Sequence, residues 1–513
     1  MEKKKEILVI VGSLLVIILS VTLAYFTVQI IGKGKEISLD SANLKITFAS
    51  GGGNISSTNI EPGWSSGAST FTVKNESKDT YKYNIIIKDL INTFVTKGFL
   101  LYKITSTDGG YNMGDFVDVP KSTSATDTIL AYSVEIAKGV THTYTVEFKY
   151  LTSEEDQSDD MGRILSGTLY IEKGTDKPLT LAEKIIEDRT IETTPRGGAY
   201  NKVFTENTTG KLFQTAESIA GGEAKTVYYF AGAPTDNWVK FAGFYWRIIR
   251  TNHDGSIRLL YAGTSPDTTS GYIGTSSFNS SYNSPKYVGY MYGTDGSLSE
   301  SRTNTNDSTI KGVIDTWYSN NLSSYSKYIS TEAVYCNDRQ LDSGQSWTFA
   351  TSPSSQINYI TFSRLDWNGD GANANPTYNC ANIKDAFSGS NSEAKLTYPI
   401  GLMTADEINI AGGLAFNNAP AYYYLNSAGG SVTGSTYWWS LSPLHWNGYR
   451  SSVWDVYGSG NPGSLGYSNV NYEYGVRPAI SLKTCALWTS GNGAPDAPYE
   501  ISTTSGCFVP GRV

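Results

Sequence analysis

One long apolar run near the start of the chain constrains its fold more than any other feature. It covers residues 7–31 and follows three consecutive lysines at positions 3–5. As a helix this run would be roughly 37 Å long, which exceeds the hydrocarbon core of a bilayer at about 30 Å. Because such lysines stay in the cytoplasm, we predict a transmembrane anchor within residues 1–33 that places the remaining chain outside the cell.

A cleavable signal peptide is the alternative interpretation of the same run. Its apolar core would be Ile7–Leu19, and Thr22-Leu23-Ala24 is an acceptable cleavage site. The uncleaved anchor is preferred because the run continues well beyond Ala24. Both interpretations export the bulk of the chain, and the preferred one predicts a single-pass protein of the cell membrane.

The composition predicts a mostly β protein. The chain contains 36 Tyr, 11 Trp and 51 Gly but only five Met, a mixture typical of strands joined by glycine-rich turns. A hydrophobic content of 39% excludes a disordered chain. A net charge of −8 without a basic block argues against a nucleic-acid partner.

Residues 35–173 are predicted to form an antiparallel β-sandwich that serves as a stalk. Short alternating segments, such as STFTVKN at 69–75 and YKYNIIIKD at 81–89, are separated by turn-rich sequence. Residues 174–225 are predicted as a linker that contains one short helix. Thr180 is its expected N-cap, and Glu183 completes a capping box.

Residues 226–484 are predicted to form an α+β head. The stretch Phe241–Gly263 contains two apolar strands around Asn-His-Asp-Gly and is typical of a hairpin. Apolar residues at helical spacing predict a helix over 308–321 with Asp307 as its cap. A capping box at Thr404-Ala405-Asp406-Glu407 predicts a second helix.

Four cysteines agree with an exported protein. Pairing by position predicts the disulfides Cys336–Cys380 and Cys485–Cys507, one of three connectivities that four cysteines allow. The second disulfide would close a C-terminal tail of residues 485–513. Zinc is excluded by spacing, since there is no C-x-x-C and the three histidines lie far apart.

One loop contains half of a calcium motif. Asp366, Asn368 and Asp370 alternate ahead of Gly371, as at the start of an EF-hand loop. The twelfth position is Thr377, where the motif needs a bidentate Glu, so an ordinary polar loop is the alternative. No other cofactor is predicted.

The chain is predicted not to be an enzyme. It contains no G-x-S-x-G elbow, phosphate-binding loop or H-E-x-x-H motif. Paired carboxylates are enough for glycoside hydrolysis, but nothing in the sequence marks one pair.

The segment Tyr437–Leu482 is the candidate binding site, because it is rich in Tyr, Trp, Ser, Asn and Gly. Antibody binding loops use these residues, and aromatic faces also stack on sugar rings. An aromatic core of β-strands is the alternative. Strand alternation allows both, with Trp454 and Val456 inward and Asp455 and Tyr457 outward. The other predicted core residues are Trp438, Trp439, Val470, Val476 and Ile480, and Arg477 is predicted to form a structural ion pair.

Separated motifs in the head resemble a known family. The motifs are YFAGAPTDNWVKFAGFYWRIIR, TIKGVIDTWYSNNL, AVYCNDR, LTYPIGLMTADEINIAGG, YWWSLSP and YGVRPAISL. Together they resemble a domain of unknown function in surface proteins of Gram-positive gut bacteria and their phages. The resemblance covers residues 226–483 and implies a C-type-lectin-like fold. Some family members resemble targets of diversity-generating retroelements, which randomise adenines in a C-terminal coding segment.

This resemblance implies a variable ligand-binding face between the SP and GVRP motifs. The residues there that an adenine-randomised Asn codon can produce are His445, Tyr449, Arg450, Asp455, Tyr457, Tyr467, Ser468, Asn469, Asn471, Tyr472 and Tyr474. Trp446, Trp454 and Glu473 are not reachable from such a codon and are expected to be framework residues.

The N-terminal part resembles the camelysin and spore-coat-associated fibre proteins. The shared motifs are AYFT, LKITF and IEPGWSSGASTFTVKNES. The resemblance implies a β-sandwich for residues 35–173.

We therefore predict a membrane-anchored, adhesin- or receptor-like protein that binds an extracellular protein or glycan. One alternative is a structural surface or biofilm-matrix fibre protein. Another is an enzyme of the formylglycine-generating type, which shares a lectin-like fold. That enzyme chemistry requires a reactive cysteine pair or a copper site, and a structural disulfide between Cys336 and Cys380 would exclude it.

Overall fold

The computed structural model describes residues 60–503, except 155, 420–421, 428–429, 432–433 and 459–461. It also describes the backbone of four short strands before residue 60. The chain divides into two compact units, one ending at Lys177 and the other running from Pro178 to Cys507. Both units are mainly built from strands, so the prediction of a mostly β protein is confirmed.

The predicted anchor lies largely outside the described residues. Its last part is an exception, because Phe26–Val28 form a strand that pairs in parallel with Leu165–Gly167 and antiparallel with Ile55–Ser57. The helix prediction is therefore wrong for these three residues, whose backbone bonds are used in a sheet. Within the described part of the chain, no helix has the length and apolar character needed to cross a bilayer.

The first unit is a β-sandwich. One sheet has the strand order Ile55–Ser57, Phe26–Val28, Leu165–Lys173, Tyr81–Asn92, Ser122–Ile136. The other has the order Glu36–Leu39, Leu44–Thr47, Ser69–Asn75, Thr141–Tyr150, Leu100–Ser106, Val117–Asp118. A 3-10 turn occupies Ser158–Asp160.

Both sheets of the sandwich contribute to one apolar core. Strand Thr141–Tyr150 alternates between buried and more exposed residues, and its Tyr144 and Phe148 pack in the same cluster as Ile85 and Leu169 of the other sheet. All strand pairs are antiparallel apart from that of Phe26–Val28 with Leu165–Gly167. The alternating sequence thus gives the predicted sandwich.

A ten-stranded sheet forms the centre of the second unit. Its main path is Thr190–Glu192, Lys211–Glu217, Lys225–Tyr229, Phe244–Thr251, Trp238–Phe241, Tyr499–Ile501, Trp488–Ser490. Ile257–Tyr261, Pro478–Leu482 and Ile400–Leu402 extend it from Phe244–Thr251. The predicted linker 174–225 and tail 485–513 therefore both contribute strands to this sheet, so neither segment is a simple connection or appendage.

A smaller sheet carries most of the candidate binding segment. Its order is Thr275–Ser276, Tyr474–Gly475, Trp438–Trp446, Ser451–Val456, Leu465–Asn469, with Ile357–Asn358 beside Trp438–Trp446. Three two-stranded pairs complete the β structure: Met291–Tyr292 with Asn306–Asp307, Tyr335–Cys336 with Ala386–Phe387, and Asn426–Ser427 with Gly430–Ser431.

Two of the three predicted helix caps are formed. The α-helices are Leu181–Glu187, Leu298–Ser301, Thr309–Asn321, Ile360–Arg364 and Ala405–Ala411. The 3-10 turns are Arg196–Gly198, Pro285–Val288, Ser323–Tyr328, Trp367–Gly369, Ile383–Asp385 and Ser392–Ala394. The capping boxes Thr180–Glu183 and Thr404–Glu407 are both formed. Ser308, rather than the predicted Asp307, caps the helix Thr309–Asn321.

A buried charge network joins the large sheet to the helix Ala405–Ala411. The Glu407 carboxylate accepts hydrogen bonds from Arg250 at 2.8 Å and Arg258 at 2.7 Å. Arg250 also donates to Glu217 at 2.9 Å. Burial opposes ionisation of Glu217, but the attraction of Arg250 outweighs it and lowers the pKa of Glu217 to about 2. The network remains charged inside the unit because each carboxylate faces a guanidinium.

Arg477 does not form the ion pair that was predicted for it. It is completely buried, but its partners are the backbone carbonyl oxygens of Tyr261 and Tyr424 rather than a carboxylate. Its guanidinium also lies 4.8 Å from the centre of the Trp438 ring. Burial lowers the pKa of Arg477 to about 9. The predicted ion pair is therefore wrong, and carbonyl dipoles and an aromatic face replace it.

The predicted disulfide Cys336–Cys380 is confirmed. It ties the short strand Tyr335–Cys336 to the segment that precedes the 3-10 turn Ile383–Asp385. Cys485 is also disulfide-bonded. Its predicted partner, Cys507, lies outside the described residues.

Candidate ligand-binding surface

Three chain segments meet at one end of the small sheet. They are 280–284, the hairpin tip 447–450, and the turn 470–473. Ser451 connects them: its N–H donates to the Tyr282 carbonyl at 2.9 Å, and its hydroxyl donates to the Ser284 carbonyl at 2.6 Å. The Val470 N–H donates to the Ser451 carbonyl at 3.0 Å. We call this region the tyrosine end of the sheet.

Each segment of the tyrosine end exposes a tyrosine. Tyr282 is 38% exposed, Tyr449 49% and Tyr472 43%. The Arg450 guanidinium lies 5.6 Å from the centre of the Tyr282 ring. The hydroxyl of Tyr472 accepts a hydrogen bond from the Asn469 side chain at 3.2 Å. The rings are therefore available to solvent although the backbone beneath them is held.

The hairpin tip is rigid at its turn. The Asn447 side-chain oxygen accepts hydrogen bonds from the N–H groups of Tyr449 at 3.0 Å and Arg450 at 2.8 Å. Gly448 has a φ of 89°, and a Cβ at this position would meet the Ser352 carbonyl. Phe349, three residues before Ser352, is 50% exposed.

The two faces of the sheet hold different predicted residues. Strand pairing sets Tyr467 opposite Trp454 and Asp455 opposite Gly466. Successive side chains of a strand point to opposite faces, so Tyr467 and Asp455 lie on different faces. The binding residues predicted along this segment therefore do not all share one surface.

The face with Tyr467 contains a half-buried aromatic group. The rings of Tyr467 and His445 are 5.2 Å apart, and Trp367 lies 5.8 Å from Tyr467 and 6.4 Å from His445. Phe416 lies 5.8 Å from Trp367. Burial lowers the pKa of His445 to about 4, so this imidazole is neutral at physiological pH.

On the opposite face of the sheet, the prediction for Asp455 is wrong. Asp455, predicted to point outward, is completely buried, and neither carboxylate oxygen has a hydrogen-bonding partner of good geometry in the described structure. Burial raises the pKa of Asp455 to about 8, and the neighbouring Ser468 side chain opposes the shift. The Tyr457 ring covers Gly466, the residue opposite Asp455. Tyrosine rings thus close this face over the carboxyl group.

Tyr437, Tyr457 and Tyr474 form one aromatic cluster on this face. The Tyr437 ring stacks on Tyr457 at 4.7 Å and lies 5.2 Å from Tyr474. The Tyr474 hydroxyl accepts a hydrogen bond from Ser468 at 3.0 Å. The cluster is partly accessible, since Tyr437, Tyr457 and Tyr474 are each half-buried.

The predicted binding residues thus fall into three environments. Tyr449, Arg450 and Tyr472 are exposed, His445, Tyr457, Tyr467, Asn469, Asn471 and Tyr474 are half-buried, and Asp455 and Ser468 are buried. Trp446 and Trp454 are completely buried, as expected of framework residues, and so is the predicted core residue Val456. Glu473, the third expected framework residue, is exposed in the turn 470–473. Tyr282 was not predicted, because it comes from a distant segment that only the tertiary structure brings beside Arg450 and Ser451.

Residues of the half calcium motif form hydrogen bonds with other protein groups. The Asp366 carboxylate accepts hydrogen bonds from the backbone N–H of Asn373 at 2.7 Å and from its side chain at 3.2 Å. The Asp370 carbonyl accepts one from Asn417 at 2.8 Å, and Asn368 is exposed. No group of three or more metal-ligating side chains occurs in the part of the chain that the structure describes. Calcium therefore stays a prediction without further support.

One family model matches the chain. A domain of unknown function (DUF6273) matches residues 379–484, which include the helix Ala405–Ala411 and most of the small sheet. The match contains Tyr449, Arg450 and Tyr472, whereas Tyr282, Phe349 and the sandwich lie outside it. No curated protein and no solved structure matches the chain.

Proposed function

We propose that this chain is an extracellular ligand-binding protein, adhesin- or receptor-like, whose ligand contacts the tyrosine end of the small sheet. One observation carries the proposal. Five large hydrophobic side chains are exposed in the described part of the 178–507 unit, and three of them are Tyr282, Tyr449 and Tyr472. Their segments are held together by the hydrogen bonds of Ser451 and its neighbour Val470.

The chemistry of this surface suits recognition of a protein or glycan. Tyrosine provides a large contact area at low cost in conformational entropy, and its hydroxyl provides a hydrogen bond. Arginine and tyrosine are both enriched among residues that dominate binding energy. Arg450, stacked against Tyr282, supplies charge beside the aromatic rings. A held backbone reduces the ordering that binding would otherwise require.

An extracellular location is part of the proposal. The disulfide Cys336–Cys380 supports export, because such bonds persist in oxidising compartments. The strand Phe26–Val28 begins two residues after Ala24. A residue cannot be in a sandwich strand and a bilayer helix at once, which favours a leader cleaved after Ala24 or an anchor that ends earlier than Ile31. Protease treatment of intact cells, which should digest the 178–507 unit, tests this location.

The test of the binding surface compares matched variants of the full chain. Fluorescently labelled protein would be applied to a glycan array and to intact bacterial and epithelial cells. We expect Tyr449→Ala and Tyr472→Ala to weaken binding by at least about tenfold, because hot-spot tyrosines contribute about 2 kcal/mol or more. Ile383→Ala is the control, since Ile383 is 41% exposed but lies outside the three segments. Equal binding by all three variants would disprove the proposed surface.

The family resemblance adds a proposal about variability. Positions between the SP and GVRP motifs would vary between isolates, whereas Trp446 and Trp454 would not, which agrees with the complete burial of both tryptophans. Sequencing the neighbouring DNA tests this, because a reverse transcriptase gene with a near-copy of the Tyr437–Leu482 coding segment is expected. A C-type-lectin-like architecture likewise remains part of the proposal.

The two alternative functions have less support. A formylglycine-generating type of enzyme would need reactive thiols, but Cys336 and Cys380 are joined in a disulfide. A matrix or fibre protein would rest on the sandwich alone and would leave the tyrosine end without a role.

A further inference from the structure

A groove in the 178–507 unit lies outside the tyrosine end. Its volume is about 580 Å³, within the range of roughly 300–1,000 Å³ that small-molecule sites occupy. The end of the helix Leu181–Glu187, the turns at Thr209 and Thr235, and the loop that begins at Trp488 line it. No residue that lines it belongs to the tyrosine end, so a ligand here would occupy a second site.

The charged groups in this groove neutralise each other. The Lys184 ammonium lies 2.6 Å from the Asp188 carboxylate, and the Arg189 guanidinium lies 3.0 Å from the Asp236 carboxylate. The two cations and two anions leave no net charge for an ionic ligand. A neutral molecule therefore suits the lining better than an acid or a base.

One wall of the groove is the Trp488 indole. Its N–H donates to the Gly491 carbonyl at 3.0 Å, which fixes the orientation of the ring. The Lys184 ammonium lies 4.8 Å from the ring centre. Trp488 is half-buried and packs against the core of the unit, so the part of its ring that lines the groove is held in place.

Polar groups line the rest of the groove. The Thr235 hydroxyl lies 3.0 Å from the Thr209 hydroxyl, which itself donates to the Asn207 side-chain oxygen at 2.8 Å. Both threonines are exposed. Asn492 is exposed, and its side-chain oxygen accepts from the Ala494 N–H, which leaves its amide NH₂ as a donor. Behind them, Arg189 Nε and Asp236 Oδ1 are buried without a hydrogen-bonding partner in the described structure.

We propose that this groove binds a neutral saccharide, with the sugar ring against Trp488 and its hydroxyls bonded by Asn492 and Thr235. The C–H face of a sugar is apolar and packs on an aromatic ring. Its hydroxyls both donate and accept, so they can accept from the Asn492 amide NH₂ and donate to the Thr235 hydroxyl oxygen. The absence of net charge in the lining selects neutral sugars over uronic acids.

Saturation-transfer NMR on the full chain tests the proposal with defined sugars. The probes are glucose, galactose, N-acetylglucosamine, cellobiose and maltose, with glucuronate and galacturonate as charged counterparts. We expect saturation transfer to at least one neutral sugar and a Kd at least about threefold higher for the corresponding uronate. No transfer to any neutral sugar, or tighter binding of the uronates, would overturn the proposal.

Variants then locate the binding site. Trp488→Ala should raise the Kd of the bound sugar at least about tenfold, and Asn492→Ala about threefold to tenfold. Trp488→Phe keeps an aromatic face and should retain most of the affinity, which guards against a folding defect in Trp488→Ala. Ile383→Ala is the control and should leave sugar binding unchanged, because Ile383 is exposed and lies outside both the groove and the tyrosine end. If Tyr449→Ala abolishes it and Asn492→Ala does not, the sugar binds at the tyrosine end and the groove proposal fails.

Discussion

Aromatic residues and arginines occur both in the interior and at the tyrosine end of the 178–507 unit, but they are buried in the first region and exposed in the second. Trp454 is completely buried, whereas Tyr449 and Tyr472, in the turns before and after it, are 49% and 43% exposed. Trp454 is in the middle of a strand, and the two tyrosines are in the turns at one end of the sheet. Position within the sheet, rather than residue type, therefore decides which aromatic side chains a ligand can reach.

Charged groups show the same contrast. Inside the unit, Arg250 is held by two carboxylates, since a buried charge is costly without a partner. Arg450 at the tyrosine end has Tyr282 as its neighbour and faces water. The interior thus uses arginine for cohesion, and the surface leaves it available for a ligand.

The largest expected effect is on the buried charge network. Glu407→Ala would leave Arg250 and Arg258 without their shared carboxylate and would remove half of a capping box. Breaking a buried ion pair in this way costs about 3–5 kcal/mol. Denaturant unfolding measures the loss. Glu300→Ala is the control, because it removes an equivalent capping-box carboxylate from an exposed position and should have a much smaller effect.

A second large effect is expected at Trp454. Its indole N–H donates to the Thr361 hydroxyl at 3.2 Å, and the side chain is buried in the main core. Trp454→Ala should lower the free energy of unfolding by about 3–5 kcal/mol through lost burial and a cavity. A thermal melt measures this change. A loss no greater than that of Tyr449→Ala would remove the contrast between framework and surface.

The buried carboxyl group of Asp455 should make the free energy of unfolding depend on pH. Its pKa is about 8 in the folded protein and about 3.9 in an unfolded chain. Between these values unfolding releases a proton, so the stability due to this group is complete below about pH 4 and is lost as pH rises towards 8. The total is a few kcal/mol, because each tenfold change in proton affinity is worth about 1.4 kcal/mol.

Asp455→Asn removes the titrating group and keeps its shape. We expect the free energy of unfolding of this variant to fall less between pH 4 and 8 than that of the original chain. Chemical denaturation at a series of pH values gives both curves. Parallel curves would mean that Asp455 is solvated or paired in solution.

The smallest expected effect is on stability at the tyrosine end. Tyr449→Ala and Tyr472→Ala should change the free energy of unfolding by no more than about 0.5 kcal/mol, because both side chains are largely in water. Thermal melts of the two variants check this. A destabilisation as large as that of Trp454→Ala would place these tyrosines in the core.

Local features of the chain were predictable where neighbouring residues decide them. The capping boxes Thr180–Glu183 and Thr404–Glu407, the hairpin strands Phe244–Thr251 and Ile257–Tyr261, and the sandwich strands all formed as the sequence indicated. Caps and strand alternation depend on contacts within a few residues. The same patterns did not reveal that the 174–225 segment joins the large sheet, because its strands pair with partners that the sequence does not specify.

The candidate site also combines features that the sequence predicted with features that only the tertiary structure shows. The sequence by itself determined the tyrosine-rich segment and the burial of its tryptophans, and it favoured the disulfide Cys336–Cys380 among three possible pairings. Only the tertiary structure decided that Asp455 is buried, because strand Ser451–Val456 is covered on both faces and alternation then no longer separates inside from outside. It also decided that Tyr282 lies beside Arg450 and Ser451. Burial and proximity depend on which distant segments pack together, and that information is spread over the whole chain.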